Sequence, residues 1–106
     1  MGLAIAGVLG VTASATAQSP AEKGQQVYTA QKCSMCHAVA GKGNAKGPLD
    51  GVAKKYKADD LRQWLVAPAE MSAKHNATRK PVMRDFSKLP AADLDALVAY
   101  LQTLGK

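Results

Sequence analysis

Cys33-Ser34-Met35-Cys36-His37 is the stretch that decides the fold of this 106-residue chain. It contains both cysteines of the protein and one of its two histidines. Residues three and four apart lie on one face of a helical turn, so the thiols of Cys33 and Cys36 and the imidazole of His37 are predicted to point the same way. We therefore expect this turn to present all three groups to a single bound partner.

The C-x-x-C-H spacing is the attachment signature of c-type haem, in which the thiols bind the vinyl groups and the imidazole binds the iron. The alternatives are a redox dithiol, a structural disulfide or half of a zinc site. Zinc would need further Cys or His ligands, and only His75 is left in the chain. A thioredoxin-type dithiol would need a β-α-β context, which the sequence lacks. The motif thus predicts one haem c, attached through Cys33 and Cys36, with His37 as an iron ligand.

Residues 1–17 carry no charge, and the apolar run Gly2–Val11 is followed by Ala15-Thr16-Ala17. This pattern is typical of a secretory signal peptide cleaved after Ala17, and it predicts a periplasmic domain over residues 18–106. A membrane anchor is the alternative, but a spanning helix needs about 20 predominantly apolar residues. The missing basic residue at the start is consistent with a truncated leader or a misplaced start codon.

Composition limits the remaining function classes. Fourteen Lys and Arg against eight Asp and Glu give a net charge of +6 and a pI near 9.5, which favours acidic partners. One Phe, one Trp and three Tyr provide no platform for stacking bases, so nucleic acid is not expected as a partner. A chain of this length has room for one domain, which we expect to be monomeric.

Helix signals dominate the mature part. Ser19-Pro20-Ala21-Glu22 predicts a capped helix start, and Asp59 and Asp60 favour a second start near Ala58, in a helix that Pro68 should end. A short helix is predicted within Pro48–Tyr56. The clearest helix lies over Pro90–Leu104, where five apolar residues form a single stripe, namely Leu94, Leu97, Val98, Leu101 and Leu104. Gly41–Gly47 and Ala69–Leu89 are predicted to be loops, and no strand alternation is visible.

The chain resembles the class I bacterial cytochromes c over its whole mature part. Gly24 and Tyr28 resemble the first helix of that family, Gly47-Pro48-Leu49 resembles its loop beside the ligating histidine, and Leu97–Leu104 resembles its closing helix. The resemblance implies an all-α cytochrome c fold, with about four helices packed around one covalently bound haem. Glycine at position 24 would allow a close crossing of the first and last helices.

The resemblance also implies positions around the cofactor. It implies that the Pro48 carbonyl accepts the ring N–H of His37, and that the indole N–H of Trp64 donates to a haem propionate. Simple core packing is the alternative explanation for Trp64.

The second iron ligand is predicted to be Met83. It lies in Lys80-Pro81-Val82-Met83-Arg84-Asp85-Phe86, which resembles the ligand segment of the family, although Arg84 stands where the family usually has proline. Met71 is a gap-filling alternative, and Met35 is held in the attachment turn. His75 is the other candidate, with polar neighbours that favour a solvent-exposed loop.

Two protein ligands leave haem iron no open position, so the predicted function is one-electron transfer by a carrier that is not an enzyme. It would shuttle electrons between periplasmic or membrane redox partners, including a membrane-bound reductase or oxidase. The alternatives are a haem-based sensor or gas-binding domain, and a fixed electron-entry subunit of a dehydrogenase or oxidase complex. Lys32, Lys42, Lys46, Lys80 and Arg84 flank the predicted haem segments and would steer the protein towards acidic partners.

Overall fold

A computed structural model describes residues 18–105, so the predicted signal peptide lies outside the described residues. This part of the chain folds into five α-helices, a single 3₁₀ turn over Cys33–Met35 and a two-stranded antiparallel hairpin. The helices are α1 (Pro20–Ala30), α2 (Val52–Lys55), α3 (Ala58–Val66), α4 (Pro68–Lys74) and α5 (Ala91–Gln102). The strands are β1 (Ala38–Val39) and β2 (Lys42–Gly43). The predicted all-α class is confirmed.

Helix α1 begins at the predicted cap. The Ser19 hydroxyl accepts the Glu22 backbone N–H at 3.1 Å, and the Glu22 carboxylate accepts the Ser19 N–H at 3.3 Å. Proline occupies the first helical position, where its missing N–H would have had no partner in the helix. This reciprocal pair fixes where α1 starts, and therefore where its C-terminal end delivers the chain to the attachment turn.

Helices α1 and α5 form the most extensive contact between elements of the described chain. Gly24 makes that contact possible, because a Cβ at this position would lie 2.6 Å from the Cβ of Tyr100 and 2.7 Å from the carbonyl carbon of Ala96. The predicted close crossing at Gly24 is thus confirmed. Lys23 and Asp93 add an ion pair of 3.5 Å between the same helices.

The core lies between α1, α3 and α5. Its most buried side chains are Leu97, which is 1% exposed, and Leu61, which is 2% exposed. Four members of the stripe predicted for the last helix are buried, namely Leu94, Leu97, Val98 and Leu101, and the fifth, Leu104, is half-buried against the core. A second ion pair, Arg62 with Asp95, links α3 to α5.

Two loop predictions are wrong in part. The chain does not run as a loop from Ala69, because α4 occupies Pro68–Lys74. Pro68 ends α3 but also stands at the start of α4, a position that proline suits. Within Gly41–Gly47, the residues Lys42–Gly43 form strand β2, which pairs with β1 across a tight turn at Ala40 and Gly41, both with positive φ.

None of the helices between residues 18 and 105 has both the length and the apolar character needed to cross a membrane.

Candidate haem-binding site

The predicted site residues meet at one cavity of about 660 Å³. Its volume falls in the range of roughly 300–1,000 Å³ that is typical of ligand and cofactor sites. Its walls come from the attachment turn, the loop before α2, helix α3 and the segment before α5, with Leu97 and Leu101 of α5 behind. All six predicted site residues line it, namely Cys33, Cys36, His37, Pro48, Trp64 and Met83.

The attachment turn has the predicted local geometry. The backbone N–H groups of Cys36 and His37 both donate to the carbonyl of Cys33, at 3.1 and 2.9 Å. Lys32, just before the turn, has a φ of 59°, so the chain leaves α1 through a left-handed residue and reverses into the motif. Cys33 is half-buried, Cys36 is exposed, and both are free thiols. The two thiols are therefore available for attachment rather than joined to each other.

The ring of His37 is oriented by a backbone carbonyl. Its Nδ1 lies 3.0 Å from the oxygen of Gly47, and since a carbonyl only accepts, Nδ1 carries the proton. Burial lowers the pKa of His37, the hydrogen bond to Gly47 opposes that shift, and the charge of Arg79 adds to it. A neutral ring that is protonated on Nδ1 leaves the lone pair of Nε2 free for a metal.

The implied role of Pro48 is wrong in one respect, because the carbonyl that His37 uses belongs to Gly47. Ala38 donates its N–H to the Gly47 oxygen at 3.0 Å and accepts the Leu49 N–H at 2.8 Å. These two hydrogen bonds form a parallel β-bridge between Ala38 and Pro48. In an extended chain, successive backbone carbonyls point to opposite sides. The carbonyl of Pro48 therefore faces away from Ala38, while Pro48 still lines the cavity.

Asn44 is a positioning residue that the sequence did not reveal. Its side-chain Nδ2 donates to the carbonyl of Met35 at 3.1 Å, and its backbone N–H donates to the carbonyl of His37 at 2.9 Å. Its Oδ1 accepts the N–H of Lys46, which closes the loop on itself. Asn44 thus bonds to the residues on either side of Cys36, namely Met35 and His37. The available signal was an Asn in a Gly-rich loop, a residue type that commonly bonds to nearby backbone groups.

Burial raises the pKa of the Cys33 thiol to about 11, although the positive charge of Arg84 acts in the opposite direction. Before any cofactor is attached, the raised pKa keeps the Cys33 thiol protonated at neutral pH. A half-buried thiol on an apolar wall is a poor free nucleophile, which sets it apart from the low-pKa cysteine of a redox dithiol.

Trp64 provides an independent test of whether a polar cofactor group fits the cavity. Its indole Nε1 is buried and has no hydrogen-bond partner among the described residues, and the side chain lines the cavity. A buried N–H left without a partner costs free energy, so such groups usually have one in the functional state. A haem propionate would supply the missing acceptor. The residues present therefore fit haem.

The candidate second ligands lie in different places. Met83 is half-buried, packs on the core and lines the cavity. Met71 is buried in α4, only 6% exposed, and is not part of the cavity wall in the described chain. Met35 is 69% exposed at the rim.

His75 is exposed, as predicted, but it caps the C-terminal end of α4 instead of lying in a loop. Its ring stacks on Trp64 with a centroid distance of 5.6 Å and meets the edge of Tyr56 at 5.5 Å. It is not part of the cavity wall in the described residues.

Arg79 also reaches the site, which the sequence did not indicate. A guanidinium nitrogen of Arg79 lies against Gly47, in the space that a Cβ would occupy, and the side chain lines the cavity. Because this space is open only beside glycine, Gly47 admits a positive charge close to His37.

Two thiols and an imidazole on one turn, at the wall of a largely apolar cavity, define a c-type haem protein. The family model for cytochrome c matches residues 21–105, and the chain belongs to the cytochrome c family. The fold prediction and the cofactor prediction are confirmed by this membership, and the cofactor is a covalently bound haem c with iron. The family's function is haem-based electron transfer.

Among curated proteins, the chain is similar to "Cytochrome c oxidase subunit 2" of Alkalihalophilus pseudofirmus (strain ATCC BAA-2126 / JCM 17055 / OF4). The two are 30% identical over 104 residues, which cover 86% of this chain and 29% of the relative. The chain therefore spans less than a third of that relative. No solved structure matches the chain.

Proposed function

We propose that this protein is a one-electron carrier whose haem iron is held by Nε2 of His37 and by the sulfur of Met83. The observation that carries the proposal is that both side chains line the same cavity. Haem iron with two protein ligands has no open position for substrate and changes only its oxidation state, and a His/Met pair favours a high reduction potential. The protein is then a carrier and not an enzyme.

The apolar side chains of the cavity keep water from the reacting centre. Leu61 and Leu65 of α3 and Leu97 of α5 are almost fully buried and face the same cavity. A low local dielectric disfavours charge, so burial together with ligation sets the potential of the iron. Trp64 lies on the same helix as Leu61 and Leu65, and its unpartnered indole N–H would donate to a polar group of the cofactor.

The basic surface supports acidic redox partners. Lys32, Lys55, Arg79 and Arg84 all contribute to the cavity wall, within a chain of net charge +6. Positive charge around an electron-transfer edge speeds encounter with acidic proteins at low ionic strength. We infer that the protein is exported to the periplasm, with cleavage after Ala17, and acts there as a monomer.

A fixed electron-entry domain is the second candidate. The similarity to an oxidase subunit, of which this chain spans 29%, favours it. In that arrangement the iron chemistry is unchanged, but the domain is held beside a membrane-bound oxidase and does not diffuse. Purification of the native protein from membranes distinguishes the two, because a fixed domain copurifies with oxidase subunits at constant stoichiometry and a shuttle does not.

The ligand assignment is tested by Met83→Leu, with Met71→Leu as the matched control. Both changes keep apolar bulk and remove the sulfur, and Leu-for-Met changes are usually well tolerated. Absorption spectra of the oxidised and reduced proteins are recorded with and without carbon monoxide. The native protein and Met71→Leu should show low-spin haem, the weak long-wavelength band of iron bound to sulfur, and no response to carbon monoxide.

Met83→Leu should keep the haem attached, lose that band and bind carbon monoxide. An unchanged spectrum in Met83→Leu would overturn the assignment. Ready carbon monoxide binding by the native protein would favour the sensor or gas-binding alternative.

A further inference from the structure

In the Met83 segment, residues 78–85, Arg84 makes the one hydrogen bond that reaches a distant part of the described chain, since Asp85 accepts only the N–H of Ser87, two residues away. Its Nη2 donates to the backbone carbonyl of Gln31 at 2.9 Å and lies 3.5 Å from the side-chain Oε1 of the same residue. No backbone N–H or C=O of residues 78–85 has a hydrogen-bond partner in the part of the chain that the structure describes. A segment without backbone hydrogen bonds opens easily, so this single tie matters.

The acceptor of this hydrogen bond is well suited to a cation. Gln31 is the C-cap of α1, and the last carbonyls of a helix have no partner in the helix and carry its negative dipole end. Gln31 also lies two residues before Cys33. The Arg84 hydrogen bond therefore joins the end of α1 that delivers the attachment turn to the segment that carries Met83.

A second contact fixes the direction of the Arg84 side chain. Its guanidinium lies 4.8 Å from the centroid of the Phe86 ring. Phe86 is itself anchored, because it is 8% exposed and its N–H donates to the carbonyl of Leu65 at 2.8 Å. The arginine side chain is thus held between a buried ring and a helix end, although it is exposed to solvent.

We propose that Arg84 is a positioning residue that clamps the Met83 segment to the C-terminal end of α1 and so keeps the Met83 sulfur on the iron. This inference rests on the proposed function, since it takes Met83 as the second ligand. Arg84 does not touch the iron. It acts by lowering the fraction of time in which the segment, and with it the sulfur, swings away from the cavity.

The test measures how fast exogenous imidazole binds to the oxidised, haem-loaded protein, because imidazole enters only when the sulfur leaves. Arg84→Ala removes a charge-assisted hydrogen bond and a cation–π contact, and it should raise this rate about tenfold. Arg84→Lys keeps the charge but loses the planar stack, and should give a smaller increase. Lys88→Ala removes an equal charge from an exposed neighbouring position and should leave the rate unchanged.

Guanidinium unfolding of each variant provides the second readout. If Arg84→Ala lowered the unfolding midpoint but left the imidazole rate at the native value, Arg84 would be a stabilising residue only and the clamp would be overturned. An equal increase in Lys88→Ala would also overturn it, because the effect would then follow charge.

Failure of the clamp is distinguishable from failure of the ligand assignment. In the first case the native protein keeps its iron–sulfur band and Met83→Leu loses it. In the second the native protein has no such band, or Met83→Leu retains it, and the clamp falls together with the assignment.

Discussion

Replacing Gly24 with alanine tests the helix crossing on which the site is built. The added Cβ would lie 2.6 Å from the Cβ of Tyr100 and 2.7 Å from the carbonyl carbon of Ala96, and it would meet the Ala96 oxygen closer still. Two of these atoms belong to the backbone of α5 and the third is the first side-chain atom of Tyr100, so none is the end of a flexible side chain. The methyl group can be accommodated only if α1 and α5 move apart by roughly 1 Å.

The sign of the effect separates packing from helix propensity. Alanine is better than glycine inside a helix by about 1 kcal/mol, so propensity alone predicts a more stable protein. Overpacking costs about 1–3 kcal/mol, and a gap of about 1 Å along the crossing also forfeits a quarter to a half of the dispersion energy of each contact there. Because α1 and α5 share the most extensive contact in the described chain, we expect Gly24→Ala to lower the free energy of unfolding by about 2 kcal/mol.

The assay is guanidinium unfolding of the haem-loaded protein, followed by far-UV circular dichroism. Gly105→Ala is the control, since a Cβ at that position would have its nearest neighbour at the ordinary distance of 3.9 Å, from the Cβ of Ala53. It should change the unfolding free energy by less than about 0.5 kcal/mol. A Gly24→Ala protein as stable as the native protein, or more stable, would refute the packing argument.

Two further changes test the walls of the site. Asn44→Ala removes the side-chain bonds to Met35 and Lys46, and should cost about 1–2 kcal/mol of unfolding free energy and lower the yield of haem-attached protein, measured by haem stain per mass of protein. Lys46→Ala keeps its backbone bond to Asn44 and should match the native yield; equal losses in both variants would contradict the role of Asn44. Trp64→Phe keeps an aromatic ring but loses the indole N–H that has no partner in the described chain. A bond from that N–H would stabilise an ionised haem propionate, so its loss should raise the pKa of the propionate. The pH dependence of the reduction potential should therefore move to higher pH, and an unshifted profile would contradict a bond from Trp64.

The parts of the fold that the sequence predicted correctly depend on local interactions. The Ser19 cap is a reciprocal pair within four residues, and the α5 stripe needs only the helical period. The attachment turn is similar, because the N–H groups of Cys36 and His37 both donate to the nearby Cys33 carbonyl. Gly24 is the exception, since its role is set by α5, and it was predicted only through the resemblance to the cytochrome c family.

The wrong predictions share a different cause. Pro68 predicts the end of one helix, but the same residue starts α4, and nothing local separates the two roles. The choice between the carbonyls of Gly47 and Pro48 depends on how this loop pairs with Ala38. Such pairing is non-local. The approach of Arg79 to Gly47 has the same origin and has no sequence signal.

The two proposed iron ligands are held very differently, and this difference predicts where the site opens. The backbone N–H and C=O of His37 are both hydrogen bonded, and its ring is fixed by Gly47. Met83 lies in a segment with no backbone hydrogen bonds in the described chain, and the side chain of Arg84 makes the one hydrogen bond from this segment to a distant part of that chain. Local opening takes the path with the fewest bonds to break, so the iron should exchange its ligand on the Met83 side while the attachment turn stays folded. That asymmetry would allow a permanently attached cofactor to have one adjustable ligand, and Arg84 would set how firmly that ligand is held.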